Sequence, residues 1–288
     1  KEDKEFTLGD FYKNSPELEQ KVNTVFNELS IDERAAQMII SAAGRYGKPH
    51  EEVKKLTEEG IIGGVLLLNG TKEGFTNLVE ELNQITNTKK RPGLIFSADA
   101  EPSLINRKIQ GTPEIKKTSE IRDLDDCRRV AGKISNELLN IGIHQNYAPV
   151  IDISPDNEAI GNRSFGNEPL QVINMAMAFM EESQKMNIVN TIKHFPGHGN
   201  VKGDTHKKLV FIDGEMTETE NYIPFIDNGA TSIMVAHIAV ENNDKYDTEG
   251  KPSSCSPKIV NQLLRKEMGF EGIIITDAMN MGALSDFD

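Results

Sequence analysis

The sequence predicts an α/β protein of the (β/α)8 barrel type, and three observations support this prediction. Seven short apolar runs, rich in β-branched residues, alternate with longer segments of helical periodicity. These runs are apolar throughout, which is typical of strands that are buried on both faces of a parallel sheet. With 288 residues, of which 37% are hydrophobic, the chain is long enough to enclose one substantial core.

The first half of the chain contains four of the predicted strands. A polar N-terminal segment carries a helical pattern formed by Leu18, Val22, Val25, Phe26 and Leu29. Ser30 and Glu33 have the spacing of a capping box, so a new helix is expected to start there and lead into a strand at residues 38–41. The other elements predicted here are strands at residues 63–68, 93–99 and 143–153, with helices at residues 72–88 and 124–139.

The second half contains the other three strands. A loop at residues 156–169 precedes a Met-rich amphipathic helix at residues 170–186, which we expect to pack in the core. The remaining predicted elements are strands at residues 188–194, 231–237 and 272–278 and helices at residues 217–227 and 257–268. Because the chain shows no strong linker, low-complexity tract or short repeat, we predict a single domain over residues 1–288.

The amino-acid composition argues against some classes of binding partner. A formal net charge of −13 and a pI near 5.0 argue against nucleic-acid or anionic-membrane partners, which require a basic surface. Cys127 and Cys255 lie far apart, so neither a disulfide framework nor a CxxC site is expected. No apolar run approaches the roughly 18 residues of a membrane-spanning helix. The chain starts without an initiator Met, which indicates a processed or trimmed form and favours an exported or cell-envelope location, with the cytoplasm left open.

Polar residues stand repeatedly at the carboxyl ends of the predicted strands. They are Asp99, Asp152, Lys193, His194, His237 and Asp277. Taken singly, each is expected to be a capping acid or a satisfied core histidine. Because the carboxyl ends of parallel strands meet on one face of a barrel, their common placement predicts one polar pocket there.

The stretch KHFPGHGNVKGDTH, from Lys193 to His206, is the segment richest in chemically active residues, and three interpretations of it remain open. Its histidines are solvated loop residues in the first. In the second they bind a metal, with His194, His198, His206 and Asp204 as ligands, although the spacing matches no specific zinc motif. In the third, Asp204 orients His206 as an acid/base that exchanges a proton near neutral pH.

Three strings, KHFPGHGNVKGDTH, GNRSFG and GIIITDAMNMGAL, closely resemble the N-acetyl-β-glucosaminidase branch of glycoside hydrolase family 3. The resemblance covers nearly the whole chain. It implies a TIM barrel with no cofactor and no metal, acting on a small carbohydrate. It also implies that Asp277 is the nucleophile and that His206, held by Asp204, is the acid/base. The sugar contacts that it implies are Asp99, Arg107, Arg163, Lys193 and His194.

Two departures from the family pattern affect these expectations. Where many relatives read DQEGG, this chain has DAEPS from Asp99, so the glycine turn is lost and the loop that carries Arg107 is expected to sit differently. The chain also ends at Asp288, soon after Asp277, so we expect the barrel to lack its last βα unit and the domain to be incomplete at its C-terminus.

The resemblance implies retaining, exo-acting hydrolysis of terminal N-acetyl-β-D-glucosaminides, with peptidoglycan fragments as the expected substrates. A covalent glycosyl-aspartate on Asp277 is the expected intermediate. Two alternatives stay open: a phosphorylase on the same fold, because a histidine acid/base does not repel phosphate, and an inactive sugar-binding barrel. Glycines at 197, 199 and 203 also predict that the loop at residues 197–205 is mobile.

Overall fold

The architecture is seen in a computed structural model that describes residues 8–11, 13, 15–153 and 157–285. Its helices are α1 Leu8–Phe11, α2 Pro16–Glu28, α3 Ile31–Ala36, α4 His50–Glu59, α5 Lys72–Lys89, α6 Ile105–Lys108, α7 Leu124–Ile141, α8 Pro169–Lys185 and α9 Ile223–Asp227, followed by a π-helix at Lys258–Glu267. None of the helices in these described ranges combines the length and the apolar character needed to cross a membrane.

The described residues also form eleven strands. They are β1 Ile40–Ala43, β2 Gly64–Leu67, β3 Gly70–Thr71, β4 Ile95–Ala98, β5 Ile109–Gln110, β6 Gln145–Asn146, β7 Val189–Phe195, β8 Val210–Asp213, β9 Ser232–Val235, β10 Ile238–Glu241 and β11 Ile273–Thr276. Seven of them form one parallel sheet in the order β1-β2-β4-β6-β7-β9-β11, which follows the order of the chain. The predicted alternation of parallel strands and helices is therefore confirmed.

A closed barrel is not formed by the part of the chain that the structure describes. There, β1 pairs only with β2 and β11 pairs only with β9, so the sheet has two edges. We predicted a (β/α)8-type barrel that lacks its last βα unit. A complete barrel is not observed: the described residues form an open seven-stranded α/β sheet, because no eighth strand among them bridges β11 and β1.

Local sequence signals account for several helix boundaries. Ser30 Oγ accepts a hydrogen bond from the backbone N–H of Glu33, and the Glu33 carboxylate accepts one from the N–H of Ser30, which confirms the predicted capping box. α4 and α7 end at Gly60 and Gly142, whose φ angles of 73° and 91° lie in the left-handed region that favours glycine.

The core lies between the sheet and the helices that cover it. α7 buries one face made of residues three or four positions apart, namely Cys127, Val130, Ala131, Ile134, Leu138 and Ile141. α7 packs against α8, whose Met175, Phe179 and Met180 are also buried. The Met-rich helix is thus part of the core, as its pattern predicts.

Two predicted elements differ from the structure. Of the strand predicted at residues 143–153, only β6 forms a regular ladder. The carbonyls of Ala148 and Pro149 still accept N–H groups of β7, and an isolated bridge joins Val150 to Lys193, so the chain stays beside β7 in an irregular register. The helix predicted at residues 217–227 is a 3-10 turn at Thr219–Tyr222 followed by the short α9. Residue 156, the first of the predicted loop, lies outside the described residues.

Several short elements were not expected. β8 and β10 form a separate parallel pair, as do β3 and β5, and α4 follows β1. The β8 and β10 pair matters for the site, because β8 follows the long loop after β7 and thereby fixes where that loop ends.

Candidate active site

The candidate site lies at the carboxyl end of the sheet. Lys193 and His194 are buried near the end of β7, Asp99 directly follows β4, and Asp277 directly follows β11. Since the seven strands are parallel, these residues lie on the same side of the sheet, as their positions in the sequence predict.

A buried network of ion pairs forms the floor of the site. Lys193 Nζ lies 2.9 Å from Asp99 Oδ1 and 2.6 Å from Glu101 Oε1. Arg163 binds the same Glu101 through two bonds, with Nε donating to Oε2 at 2.8 Å and Nη2 donating to Oε1 at 2.7 Å. Lys193 and Glu101 are each 1% exposed. Two cations thus balance two anions in a largely buried network, in which the Asp99 side chain is 23% exposed.

Burial disfavours the ionised form of each of these groups, but the opposite charges of the neighbouring side chains outweigh that effect. Burial would raise the pKa of Glu101, but Arg163 and Lys193 hold it well below its usual range. Lys193 and Lys108 likewise lower the pKa of Asp99 against the effect of its burial. For Lys193, burial would lower the pKa, yet Asp99 and Glu101 raise it. The network therefore stays ionised at neutral pH.

The adjoining His194 is fixed in one tautomer. Its Nε2 lies 3.3 Å from Arg163 Nη2, and its Nδ1 lies 2.7 Å from Asp152 Oδ2. A guanidinium can only donate, so Nε2 is the acceptor and the ring proton is on Nδ1, where it is donated to Asp152. Asp152 is fully buried, and its carboxylate also accepts the backbone N–H of His198 at 2.7 Å.

The segment at residues 196–209, which we call the β7 loop, is held firmly over its first half. Asn157 Nδ2 donates to three carbonyl oxygens between residues 198 and 201, at distances of 2.6 to 3.2 Å. Glu218 Oε1 accepts the N–H of Asn200 at 2.9 Å. Val201 packs in a small apolar cluster with Val210, Ala236 and Ile238. Any mobility of the loop is therefore expected beyond residue 201.

The second half of the β7 loop carries the Asp204 and His206 pair. His206 Nδ1 lies 2.7 Å from Asp204 Oδ1, which also accepts the backbone N–H of His206 at 3.0 Å. Burial works against the Asp204 charge, but these hydrogen bonds hold the pKa of Asp204 below its usual range. The His206 side chain is 62% exposed, whereas that of Asp204 is 16% exposed. The aspartate can thus orient a ring that remains largely exposed.

The segment after Asp277 packs directly against this part of the loop. The N–H of Gly282 donates to the carbonyl of His206 at 3.1 Å, and the N–H of Ala283 donates to that of Thr205 at 3.1 Å. The structure therefore joins the chain that carries Asp277 to the chain that carries His206, although 70 positions separate the two residues in sequence.

Buried His237, which lies between β9 and β10, supports the same segment. Its Nε2 lies 3.0 Å from the carbonyl of Ala278, which can only accept, so the ring donates there. Its Nδ1 then accepts from the Ser254 hydroxyl at 2.7 Å. His237 thereby ties the residue after Asp277 to the neighbouring loop.

One expected sugar contact lies apart from the network. Arg107 is exposed on α6, and no hydrogen bond or ion pair to its side chain is found among the described residues. Its neighbour Lys108 instead lies 3.6 Å from Asp99 Oδ2. The departure from the DQEGG pattern precedes this helix, and the role of Arg107 stays a prediction.

Sequence reasoning missed two residues of the network and undervalued a third. Glu101 was noted only as part of the departing turn, yet it binds both Lys193 and Arg163. No sequence pattern singled out Lys108. Asp152 was predicted only as one of several polar residues at strand ends. In the structure it lies opposite the Lys193–His194 end of β7, where it contacts the His194 ring.

The three histidines between residues 194 and 206 have separate partners. His194 bonds to Asp152, His198 to Thr205, and His206 to Asp204. Within the described ranges, no group of three or more His, Cys, Asp or Glu side chains is arranged to hold a metal ion. Carboxylates orient two of these rings, those of His194 and His206, and such an arrangement allows acid/base chemistry.

With this fold and site, comparison with known proteins gives a consistent result. The model of the glycosyl hydrolase family 3 N-terminal domain matches residues 30–288. The chain therefore belongs to glycoside hydrolase family 3.

Similar proteins include two beta-hexosaminidases and one solved structure. Beta-hexosaminidase A from Pseudoalteromonas piscicida is 29% identical over 82% of this chain and 44% of its own length. A beta-hexosaminidase from Neisseria meningitidis serogroup A is 31% identical over 80% of this chain and 67% of its own length. A family 3 beta-N-acetylglucosaminidase from Paenibacillus sp. strain FPU-7 has a TM-score of 0.81 and 26% identity, covering 90% of this chain and 51% of that one. The chain thus spans only about half the length of some of these relatives.

Proposed function

We propose that this chain is a single domain carrying the active site of a retaining, exo-acting β-N-acetylglucosaminidase. Similar proteins that are named beta-hexosaminidase and beta-N-acetylglucosaminidase support the proposal. The structural observation that carries it is the Asp204 and His206 pair, which is bonded at 2.7 Å and packed against the segment that follows Asp277. A nucleophile and a proton donor on adjacent segments are the two groups that a retaining glycosidase needs.

In the first step of the proposed reaction, an Asp277 carboxylate oxygen attacks the anomeric carbon and the glycosidic C–O bond breaks. His206, protonated on both nitrogens, gives its Nε2 proton to the departing oxygen. Asp204 accepts the Nδ1 proton in a hydrogen bond throughout and stabilises the imidazolium. The products of this step are the free aglycone alcohol and a glycosyl ester of Asp277.

In the second step, water attacks the anomeric carbon and the ester bond to Asp277 breaks. Neutral His206 takes a proton from that water through Nε2 and returns to its starting protonation state. Because each displacement inverts the anomeric centre, the sugar is released with its original configuration. The same residue thus serves as acid and then as base.

The ion network is proposed to bind the sugar ring. Asp99 is only partly buried, so its carboxylate can accept from sugar hydroxyls while Lys193 and Arg163 hold it and Glu101 in place. His194, fixed by Asp152, lies beside this network. Arg107 is proposed as a further contact from the rim. Terminal N-acetyl-β-D-glucosaminides, with peptidoglycan fragments as the natural source, are the proposed substrates.

A phosphorylase is the second candidate, and one observation favours it. Lys207 and Lys208 directly follow His206 in the sequence and are exposed, and Lys207 Nζ lies 3.5 Å from Asp204 Oδ2. A histidine acid/base with cations around it does not repel phosphate as a carboxylate would. Phosphate in place of water would then release a sugar 1-phosphate.

The test uses the full-length protein and its His206→Ala and Asp204→Ala variants on two N-acetyl-β-D-glucosaminides. The 4-nitrophenyl glycoside has a good leaving group that needs little protonation, and the phenyl glycoside has a poor one. Both variants should lose roughly 100-fold or more on the phenyl substrate and much less on the nitrophenyl substrate. His144→Ala, at an exposed histidine before β6, is the matched control and should behave like the wild type.

Other results of these assays would support one of the alternative functions. Equal losses on both substrates would show that His206 does not protonate the leaving group. A rate that depends on added phosphate would support the phosphorylase, and no turnover by the wild type would support a sugar-binding domain. Loss of activity in a chelator, restored by zinc, would revive the metal interpretation of the histidines.

A further inference from the structure

The β7 loop consists of a fixed half and a reactive half, and one side-chain contact joins them. In the fixed half, the backbone N–H of His198 donates to buried Asp152 at 2.7 Å, and Asn157 and Glu218 hold the backbone around it. The reactive half is less enclosed and ends at His206, whose side chain is 62% exposed.

The contact runs from the His198 ring to Thr205, the residue between Asp204 and His206. His198 Nε2 lies 3.1 Å from Thr205 Oγ1, and both residues are 2% exposed. His198 Nδ1 has no hydrogen-bond partner among the described residues, so in that part of the chain the bond to Thr205 is the ring's only one. Among the described residues, Thr205 is therefore the single hydrogen-bond partner of the His198 ring.

His198 is unsuited to proton transfer itself. It is buried, and burial lowers its pKa in spite of the nearby Asp152 charge, so the ring is neutral at neutral pH. A neutral, buried ring with one hydrogen bond is suited to hold a neighbour in place. That neighbour is also fixed at its carbonyl, which accepts the N–H of Ala283.

We propose that His198 is a positioning residue for the Asp204 and His206 pair and that it acts through the Thr205 hydroxyl. This inference rests on the proposed function. With its hydroxyl bonded to the fixed half and its carbonyl bonded to the segment after Asp277, Thr205 places the two residues beside it. The bond thus sets where His206 Nε2 lies relative to the nucleophile, which a proton donor requires to within a fraction of an ångström.

The experiment compares Thr205→Val with Thr205→Ser in the full-length protein. Valine keeps the shape and removes the hydroxyl, whereas serine keeps the hydroxyl. Thr205→Val should lower kcat on the phenyl glycoside about 10-fold more than on the 4-nitrophenyl glycoside, a part of what a positioned proton donor contributes, with KM little changed. Thr205→Ser should restore most of the loss.

Thr219→Val is the matched control. The Thr219 hydroxyl also donates to this loop, at the carbonyl of Pro196 and 3.2 Å away, but it lies on the fixed side. Its loss should affect both substrates equally. His198→Phe keeps a ring in place without its nitrogens and should reproduce Thr205→Val, and the double variant should lose no more than either single one. If Thr205→Val does not fold, His198→Phe carries the same comparison.

Two outcomes overturn the inference: equal effects of Thr205→Val on the two substrates, or losses in the double variant that multiply. Failure of the proposed function looks different. In that case His206→Ala itself shows no dependence on the leaving group. If His206→Ala shows the dependence and Thr205→Val does not, only the positioning role is wrong.

Discussion

At the residue scale, the proposed nucleophile has one oxygen free for reaction. The backbone N–H of Asp277 donates to Val235 at 3.0 Å, and its Oδ1 accepts from the N–H of Ala278 at 2.7 Å. Its Oδ2 has no hydrogen-bond partner in the described residues, and the side chain is partly exposed. The carboxylate is thus held from one side and open on the other.

We expect Asp277→Ala to lower kcat by about 1000-fold or more, because the covalent step loses its nucleophile and not merely a contact. The measurement is steady-state turnover of the 4-nitrophenyl glycoside. Added azide should rescue it by giving the inverted α-glycosyl azide. Asp227→Ala, at an exposed carboxylate on α9, should leave turnover unchanged. Near-normal activity of Asp277→Ala would show that the nucleophile is elsewhere.

At the scale of the element, Glu218 is the acid that holds the β7 loop. Its Oε1 accepts the N–H of Asn200, and its Oε2 accepts that of Ile153 at 3.1 Å. Burial and the nearby Asp152 charge raise the pKa of Glu218 to about 7. An unfolded glutamate has a pKa of about 4.3, so between these values the folded state binds more protons. The contribution of Glu218 to stability is therefore complete below that range and is lost as the pH rises through it.

Glu218→Gln should remove this dependence, since the amide keeps the shape but does not titrate. The free energy of unfolding in urea, measured between pH 5 and pH 7.5, should fall more steeply in the wild type than in the variant. Glu220→Gln, an exposed glutamate two positions along, is the matched control and should keep the wild-type slope. Identical slopes in Glu218→Gln and the wild type would contradict the assignment.

Gly282 is the point where the segment after Asp277 meets the β7 loop. A Cβ at this position would lie 2.5 Å from the carbonyl oxygen of Lys207 and 2.9 Å from that of His206. Both atoms belong to the backbone, so the two segments would have to separate.

We therefore expect Gly282→Ala to lower kcat on the phenyl glycoside more than on the 4-nitrophenyl glycoside, because His206 is displaced from the leaving oxygen. Gly93→Ala is the control, since a Cβ at Gly93 meets no atom within 4 Å. Wild-type kinetics for Gly282→Ala would mean that the contact does not position His206.

The sequence predicts those elements best whose local signals agree with their surroundings. Ser30 and Glu33 mark the start of α3, and the apolar runs place β2 and β11 within a residue or two. β6 is predicted too long, because the apolar composition of residues 143–153 reports burial, whereas a ladder requires regular backbone pairing, which ends at Asn146.

At the scale of the whole molecule, the ion network joins segments that are far apart in the chain. Asp99 and Glu101 follow β4, Arg163 lies on a turn before α8, and Lys193 belongs to β7. Its charges are buried together, so removing one leaves its partners uncompensated.

Lys193→Ala should lower the free energy of unfolding by about 3 kcal/mol or more, because Asp99 and Glu101 lose their shared cation. It should also raise KM, as the sugar-binding carboxylate is no longer held. Chemical denaturation and steady-state kinetics measure the two effects. Lys185→Ala, which breaks an exposed pair with Glu182, should change stability by no more than about 0.5 kcal/mol. A small effect of Lys193→Ala on stability would mean that the network contributes little.

The sequence predicts where the site lies, but it does not predict which of its side chains contact one another. The carboxyl-end rule brings Asp99, Lys193 and Asp277 together from sequence alone. Glu101 gave no such signal, because its role depends on where Arg163 arrives from a loop more than 60 positions later. The sequence also predicted a barrel without its last βα unit, and the described residues form seven parallel strands with open edges at β1 and β11.

The central claim is that Asp277 forms the covalent bond to the sugar. The full-length protein is inactivated with a 5-fluoro-N-acetyl-β-D-glucosaminyl fluoride, which forms a slowly hydrolysed glycosyl-enzyme, and the labelled peptide is sequenced by mass spectrometry. The predicted result is one sugar on Asp277. A label on another carboxylate, such as Asp204, or inactivation that leaves no sugar on the protein would contradict the account.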